Sequence, residues 1–440
     1  MDPPSNPVTV ARSTPSAGAV WLGTALAGLA AAFLWAPVGV LCVLGAVGCA
    51  WLVDPPARTS VLLVAGGKVV LAVFATVAAT AYSADGLLPG QPDQFFYVNT
   101  ADAISRSVLI ERTLSVDYDS IVDLHNRSYN VVLGWATALG RSGGFGGTTA
   151  ADLLGYRMLN VLFSTLLVVV ALRLTTTLYA GAPRLGAYRA LTVWGVGFMP
   201  YLTIYSQMVM RDVMIALLFT TFVYGLVAKR PVLTTAAVVA MYYTRLQFGL
   251  ILVVGGAGWL LLGALVGRRR SRTAAAVALA LLGAAGYGAT FLLPQVAFVR
   301  TLVASPLLLD FARSFPLSVL GLDVLVAPAE DLAVSRGLLL AARFVIPESV
   351  ALPLLTAAML VKRHALAGAL HARLNALVWG LVLMYFLGYY VTYGSVFVRL
   401  ISPFYVSMYV LSLPLLWDLL RRAAPPRRRA AARRPALSAA

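Results

Sequence analysis

Long apolar runs recur along nearly the whole sequence, and short polar or charged connections separate them. A membrane-crossing helix needs about 20 apolar residues, and about twelve segments are candidates for that role. These segments are 20–35, 38–53, 61–82, 155–179, 187–205, 209–228, 231–244, 248–266, 275–296, 338–361, 374–393 and 400–420. Only 12% of the residues are charged, against about 25% in soluble domains. The pattern predicts an all-α integral membrane protein, a polytopic bundle of about twelve transmembrane helices in one domain, 1–420.

Basic residues lie on one side of this predicted arrangement. The short connections that carry positive charge include those around Arg184, Lys229 and Arg268, and all of them fall on the side of the tail 421–440. Because cytoplasmic loops are enriched in Lys and Arg, we expect a multi-pass protein of the cell membrane with both termini in the cytoplasm. The basic tail is expected to lie against anionic lipid. The net charge of +17 reflects this orientation and does not indicate nucleic acid binding.

Two long connections are predicted on the outer side. The first, 83–152, is acidic: it holds seven of the seventeen Asp and Glu residues within 83–127. Apolar residues recur in it at helical spacing, which predicts two amphipathic interfacial helices, one over 94–109 and one through Tyr129 and Trp135. The second outer connection, 297–337, alternates apolar stretches with prolines. No internal repeat is visible, so nothing in the sequence favours the inverted repeats of many transporters.

Asp93 is the first candidate for chemistry. It follows the third apolar segment, where a carboxylate would lie just above the membrane surface. A carboxylate there can accept a proton from an attacking hydroxyl or bind a divalent cation. It can equally cap the helix that follows. His125, in the same loop, is interpreted as a surface histidine. The glycine-rich stretch 140–147 lacks the lysine of a phosphate-binding loop and is interpreted as a linker.

Three arginines fall at the outer ends of apolar segments: Arg211, followed by Asp212, then Arg245 and Arg399. Charged groups near the membrane tend to pair or to line a polar cavity, and an Arg211–Asp212 pair can be structural. Guanidinium groups also match phosphate oxygens. We therefore expect an outward-facing cavity that binds a lipid-linked phosphate. Lys68, inside the third segment, is expected to extend to the lipid headgroups.

Short motifs in residues 60–260 resemble the GT-C superfamily of polyprenyl-phosphate-dependent glycosyltransferases, especially the bacterial protein mannosyltransferase and lipid A aminoarabinose transferase group. The matching residues are Asp93 with Tyr97, the stretch 157–160 and the stretch 210–212, with a looser match at 244–246. The chain would be a minimal bacterial member, since no large soluble domain follows the last span. Gln94 stands where that family often has a second acid, so metal dependence is left open, and a divalent cation is a possible cofactor.

The resemblance implies transfer of a sugar from a polyprenyl-phosphate donor to a glycan, lipid or protein acceptor on the extracytoplasmic face. It implies that Asp93 is the catalytic base and that Arg211, Arg245 or Arg399 binds the donor phosphate, with Tyr97 and Asp212 also contributing to substrate binding. A polysaccharide repeat-unit polymerase or ligase is an alternative with similar outer-face chemistry. A membrane transporter or flippase is a further alternative, as is a scaffold without catalysis.

Overall fold

The computed structural model describes residues 37–83, 85–87, 93–114, 116–122, 127–142, 149–266, 307–320, 348–359, 369–393 and 398–423. Within these residues the chain forms helices and no strands. The first helices are α1 (Pro37–Cys49), α2 (Pro55–Tyr82), α3 (Asp93–Glu111), α4 (Arg127–Ser142), α5 (Thr149–Leu178), α6 (Leu185–Gly197) and α7 (Pro200–Ser206). The remaining helices are α8 (Asp212–Val227), α9 (Pro231–Thr244), α10 (Leu246–Val266), α11 (Leu307–Val319), α12 (Glu348–Met359), α13 (Ala369–Tyr393) and α14 (Ser402–Ala423). Short 3-10 helices cover Ala50–Leu52, Tyr118–Ser120 and Val398–Ile401.

Four helices are long and apolar enough to cross a membrane. They contain the stretches Pro55–Tyr82, Ala150–Leu178, Leu370–Tyr390 and Ser402–Arg422. Shorter apolar helices add Val38–Leu52, Asp212–Val227, Pro231–Thr244, Leu246–Leu261 and Glu348–Met359. These lengths and compositions are those of a helical membrane protein. The predicted spans 20–35 and 275–296 lie outside the described residues, so the number of about twelve stays a prediction.

The predicted span 187–205 is divided in the structure. Helix α6 ends at Gly197, and α7 begins at Pro200, after a break at Phe198 and Met199. Proline has no N–H to donate to the carbonyl one turn earlier, and its ring crowds that carbonyl. A proline is tolerated at the start of a helix, which is where the structure has Pro200. The prediction of one continuous helix was therefore wrong at this position.

Helix α5 lies at the centre of the bundle and packs against α1, α2, α6 and α8, while α14 packs against α6 and α8. Ion pairs at one end of the bundle join distant parts of the chain. Arg184 Nη1 lies 3.1 Å from Asp418 Oδ1, and Arg189 Nη2 lies 2.6 Å from Asp54 Oδ2. The connections that carry Arg184 and Arg189 thus lie at the same end as the last turns of α14.

The two helices of the first long connection, α3 and α4, form a tight pair. A Cβ added to Gly134 would lie 2.4 Å from Ile104 Cγ2, so glycine is required for this approach. Arg141 fastens the pair to α5, with Nη1 2.6 Å from Asp102 Oδ1 and Nη2 2.9 Å from Asp152 Oδ2. Burial opposes the ionisation of Asp102, but hydrogen bonds from Arg141 and Arg106 outweigh it and hold the pKa of Asp102 below its ordinary 3.8. Helices therefore cover both predicted stretches, and Arg141 anchors the pair to α5; their position at the membrane interface stays a prediction.

Candidate functional site

Asp93 is the first residue of α3, and its side chain is exposed. The helix forms because buried residues recur every three or four positions, at Tyr97, Ala101, Ile104 and Val108. A carboxylate in the first turn is also favoured by the helix dipole. Tyr97 follows one turn later on the same side and is buried. The ring of Tyr97 lies against Arg211 and so connects the helix that carries Asp93 to that arginine.

Arg211 and Asp212 lie where a non-helical segment, 207–211, passes into α8. Asp212 is the first residue of that helix and is 2% exposed. The guanidinium of Arg211 donates from Nη1 to the Thr244 carbonyl at 3.0 Å. Its Cζ atom lies 5.9 Å from the centre of the Tyr97 ring. Arg211 therefore bridges the α3–α4 pair and the end of α9.

Arg245 occupies the one-residue turn between α9 and α10, as the sequence predicted. Its backbone is extended, and its N–H donates to the Met241 carbonyl at 2.6 Å, which closes the last turn of α9. The two helices approach closely here, since a Cβ on Gly249 would lie 2.5 Å from Tyr242 Cα. The Arg245 guanidinium carbon lies 5.4 Å from the ring centres of both Tyr385 and Tyr389. Such distances allow cation–π attraction.

Tyr385 is the residue around which these groups converge. Its side chain, on α13, is 1% exposed and stacks on Phe248 at a centroid distance of 4.4 Å. Arg245, Arg211 and Asp212 all lie within electrostatic range of its hydroxyl. That hydroxyl has no hydrogen-bond partner within the described residues. Among the described residues, these two arginines and one aspartate have a summed formal charge of +1, which favours an anionic ligand.

Two of the predicted residues fall wholly or partly outside the described part of the chain. The backbone of Arg399 lies in the 3-10 helix Val398–Ile401, but its side chain lies outside the described residues, as does all of His125. Asp93 begins the helix whose Tyr97 ring lies against the Arg211 guanidinium.

Acidic and metal-binding side chains are sparse around this cluster. No group of three or more His, Cys, Asp and Glu side chains in the described ranges comes together as metal ligands would. Gln94, which stands where the resembled family often has a second acid, is fully buried and accepts the Val209 N–H at 3.2 Å. Its amide therefore supports the backbone of the segment before Arg211.

Several residues of the cluster were not singled out from the sequence as site residues. Tyr385 and Tyr389 lie in an apolar span, where a tyrosine resembles an interfacial anchor. Tyr129 was assigned only to the apolar face of a helix, yet its ring lies 5.2 Å from that of Tyr97, and Asp212 is within electrostatic range. One sequence signal was available, because a tyrosine pair four residues apart presents two rings on one helix face.

Lys68 differs from its prediction. It does not extend to headgroups: the side chain is fully buried within α2 and its amino group donates to Ser164 Oγ on α5. The sequence could not reveal this pairing, because the serine lies 96 residues away.

Comparisons with known proteins add no assignment. No protein-family model, no curated protein and no solved structure matches this chain.

Proposed function

We propose that the protein is a membrane glycosyltransferase of the GT-C type, which moves a sugar from a polyprenyl-phosphate donor to a glycan, lipid or protein acceptor. The observation that carries the proposal is that the Arg245 guanidinium carbon lies 5.4 Å from the centre of the buried Tyr385 ring, with Arg211 within electrostatic range of the same hydroxyl. Guanidinium groups bind phosphate oxygens through paired, charge-assisted hydrogen bonds. The same neighbourhood connects through Tyr97 to the helix that begins with the exposed Asp93.

The chemistry is a single displacement. The acceptor oxygen forms a bond to the anomeric carbon as the bond from that carbon to the donor phosphate oxygen breaks. Asp93 takes the proton of the acceptor hydroxyl as a general base. Arg211 and Arg245 stabilise the negative charge that develops on the departing phosphate, and the Tyr385 hydroxyl adds a neutral donor. Asp212 offsets part of the arginine charge when the site is empty. One displacement inverts the anomeric centre.

The positive-inside rule supports an extracytoplasmic site. Arg184 and Arg189 form their ion pairs at one end of the bundle. In the predicted topology, the start of α8 at Arg211 and the end of α9 at Arg245 lie at the opposite end. The proposal therefore has both termini in the cytoplasm, about twelve spans, and the basic tail on anionic lipid.

A transporter or flippase is the second candidate, and one observation favours it. Lys68 is an ionisable group buried among membrane helices, and such groups often mark pathways for ions or substrates. A polymerase or ligase of lipid-linked repeat units would use the same arginines and differs only in having a lipid-linked acceptor.

The test uses the purified full-length protein in liposomes with a polyprenyl-phosphate-linked sugar and a panel of acceptors. Asp93→Asn should abolish sugar transfer while lowering the melting temperature no more than the control substitution does. The matched control is Asp310→Asn, because Asp310 is likewise an exposed acid in the first turn of a helix. If Asp93 only stabilises its helix, both variants should retain turnover. Exchange of a solute across the liposome membrane, without transfer, would instead support transport.

A further inference from the structure

The segment 207–211 interrupts the helical path between α7 and α8, and its backbone is buried. Gln207 and Met208 are each 7% exposed, and Val209 and Met210 are fully buried. Non-helical backbone inside a membrane bundle is tolerated only where other groups satisfy its N–H and C=O groups. This segment leads directly into Arg211 and Asp212. Its geometry therefore decides where those two side chains lie.

Three fully buried side chains satisfy this backbone, and we name them the backbone clamp: Gln94, Arg157 and Asn160. Arg157 Nε donates to the Gln207 carbonyl at 2.8 Å. Asn160 Nδ2 donates to the carbonyls of Met208 at 2.7 Å and Met210 at 3.3 Å. Gln94 Oε1 accepts the Val209 N–H at 3.2 Å. Four consecutive residues are thus held by side chains from two other helices.

Two of the clamp residues, Arg157 and Asn160, are themselves held by further hydrogen bonds. Arg157 Nη1 donates to Thr76 Oγ1 at 2.9 Å and Nη2 donates to the Gly86 carbonyl at 3.2 Å. Asn160 Oδ1 accepts the Tyr129 hydroxyl at 3.3 Å. Within the described part of the chain, the three groups that accept hydrogen bonds from the Arg157 guanidinium are all neutral. A buried cation without an opposing charge is costly, which means that arginine at this position needs a reason beyond filling space.

We infer that Gln94, Arg157 and Asn160 are positioning residues, which hold the segment 207–211 so that Arg211 and Asp212 face the donor phosphate. The inference rests on the proposed function for the identity of the ligand, but not for the clamp itself. The planar fork of arginine reaches α2, the outer loop and the segment at once, which a lysine cannot do. A displacement of about 1 Å at a reacting group is enough to lower activity by about a hundredfold.

The experiment compares Gln94→Leu, Arg157→Lys and Asn160→Leu with one control. Thr175→Val removes a buried hydrogen bond between Thr175, which is on the same helix as Arg157, and Thr192, far from the segment. Hydrogen exchange of the peptide covering 205–212 reports the clamp directly, in purified full-length protein. Binding of farnesyl phosphate reports Arg211. We expect the first three variants to exchange at least tenfold faster and bind at least tenfold more weakly. The control should exchange and bind as the parent protein does.

The outcomes separate the two claims. Unchanged exchange in the three variants overturns the clamp, whatever the ligand. Normal binding by Arg157→Lys overturns positioning as well, because lysine keeps the charge but cannot reach all three partners of the arginine. If Thr175→Val binds as weakly as the clamp variants at an equal loss of melting temperature, general destabilisation explains the result and the inference fails. If the parent protein does not bind farnesyl phosphate while the exchange result holds, the clamp stands and the phosphate site of the proposed function is refuted.

Discussion

Replacing Tyr385 with phenylalanine separates a ligand-binding role from a packing role. The ring is 1% exposed and stacked on Phe248, so phenylalanine fills the same space. Only the hydroxyl is removed, and within the described residues that hydroxyl has no hydrogen-bond partner. In the empty protein it therefore contributes a desolvation cost and no compensating bond.

Tyr385→Phe should affect folding stability and phosphate affinity in opposite directions. A buried polar group without a partner costs about 1–3 kcal/mol, so Tyr385→Phe should leave the free energy of unfolding unchanged or raise it within that range. A hydrogen bond to a charged group is worth about 1.5–3 kcal/mol. Loss of that bond to a bound phosphate should weaken binding by roughly ten- to a hundredfold. Stability and affinity should thus move in opposite directions.

The assay measures melting temperature and farnesyl phosphate binding on the same purified samples. The matched control is Tyr179→Phe, because the Tyr179 hydroxyl donates to the Val410 carbonyl at 2.9 Å near the other end of the bundle. That control should melt at a lower temperature and bind normally. A Tyr385→Phe protein that melts lower and binds as tightly as the parent would refute the reasoning, since it would give the hydroxyl a structural partner and no ligand.

Three further predictions concern the scaffold. Arg141→Ala should lower the free energy of unfolding by about 1–2 kcal/mol at neutral pH. Because the pKa of Asp102 is lowered in the folded state, the stability difference between parent and variant should shrink as the pH falls from about 4 through that lowered pKa. A stability difference that stays constant over this pH range would contradict the prediction. Gly249→Ala should lower stability by about 1–3 kcal/mol and weaken phosphate binding by displacing Arg245, while Gly258→Ala, which meets nothing within 4 Å, should do neither. Ser164→Ala should lower the free energy of unfolding by about 1–3 kcal/mol because it removes the hydroxyl that accepts from Lys68. Adding Lys68→Met should restore the lost stability, and an additive loss in thermal unfolding would argue against the pairing.

The helical architecture could be read from the sequence because it depends on local chemistry. Apolar length predicted the crossing helices, and apolar spacing predicted α3 to within a few residues of Asp93–Glu111. The sequence predicted that Arg245 lies in a tight turn because the apolar runs 231–244 and 248–266 flank it. The break before Pro200 was missed, although proline gave a local signal for it.

The site could be predicted only in part because its contacts join distant elements. Arg211 and Arg245 were identifiable as charges in apolar surroundings. Their common neighbour Tyr385 lies 140 residues or more along the chain, and its role depends on burial that no local pattern encodes. Gln94 resembled a missing acid until the structure showed its bond to Val209. A side chain that hydrogen-bonds to backbone far along the chain produces no periodic pattern in the sequence.

The most direct test of the account is a cryo-EM map of the full-length protein with a polyprenyl phosphate bound. The account predicts phosphate density within hydrogen-bond distance of the Arg211 and Arg245 guanidinium groups and the Tyr385 hydroxyl, on the side of the membrane opposite Arg184. Phosphate density at another place on the protein, with these three side chains in contact only with one another, would contradict it.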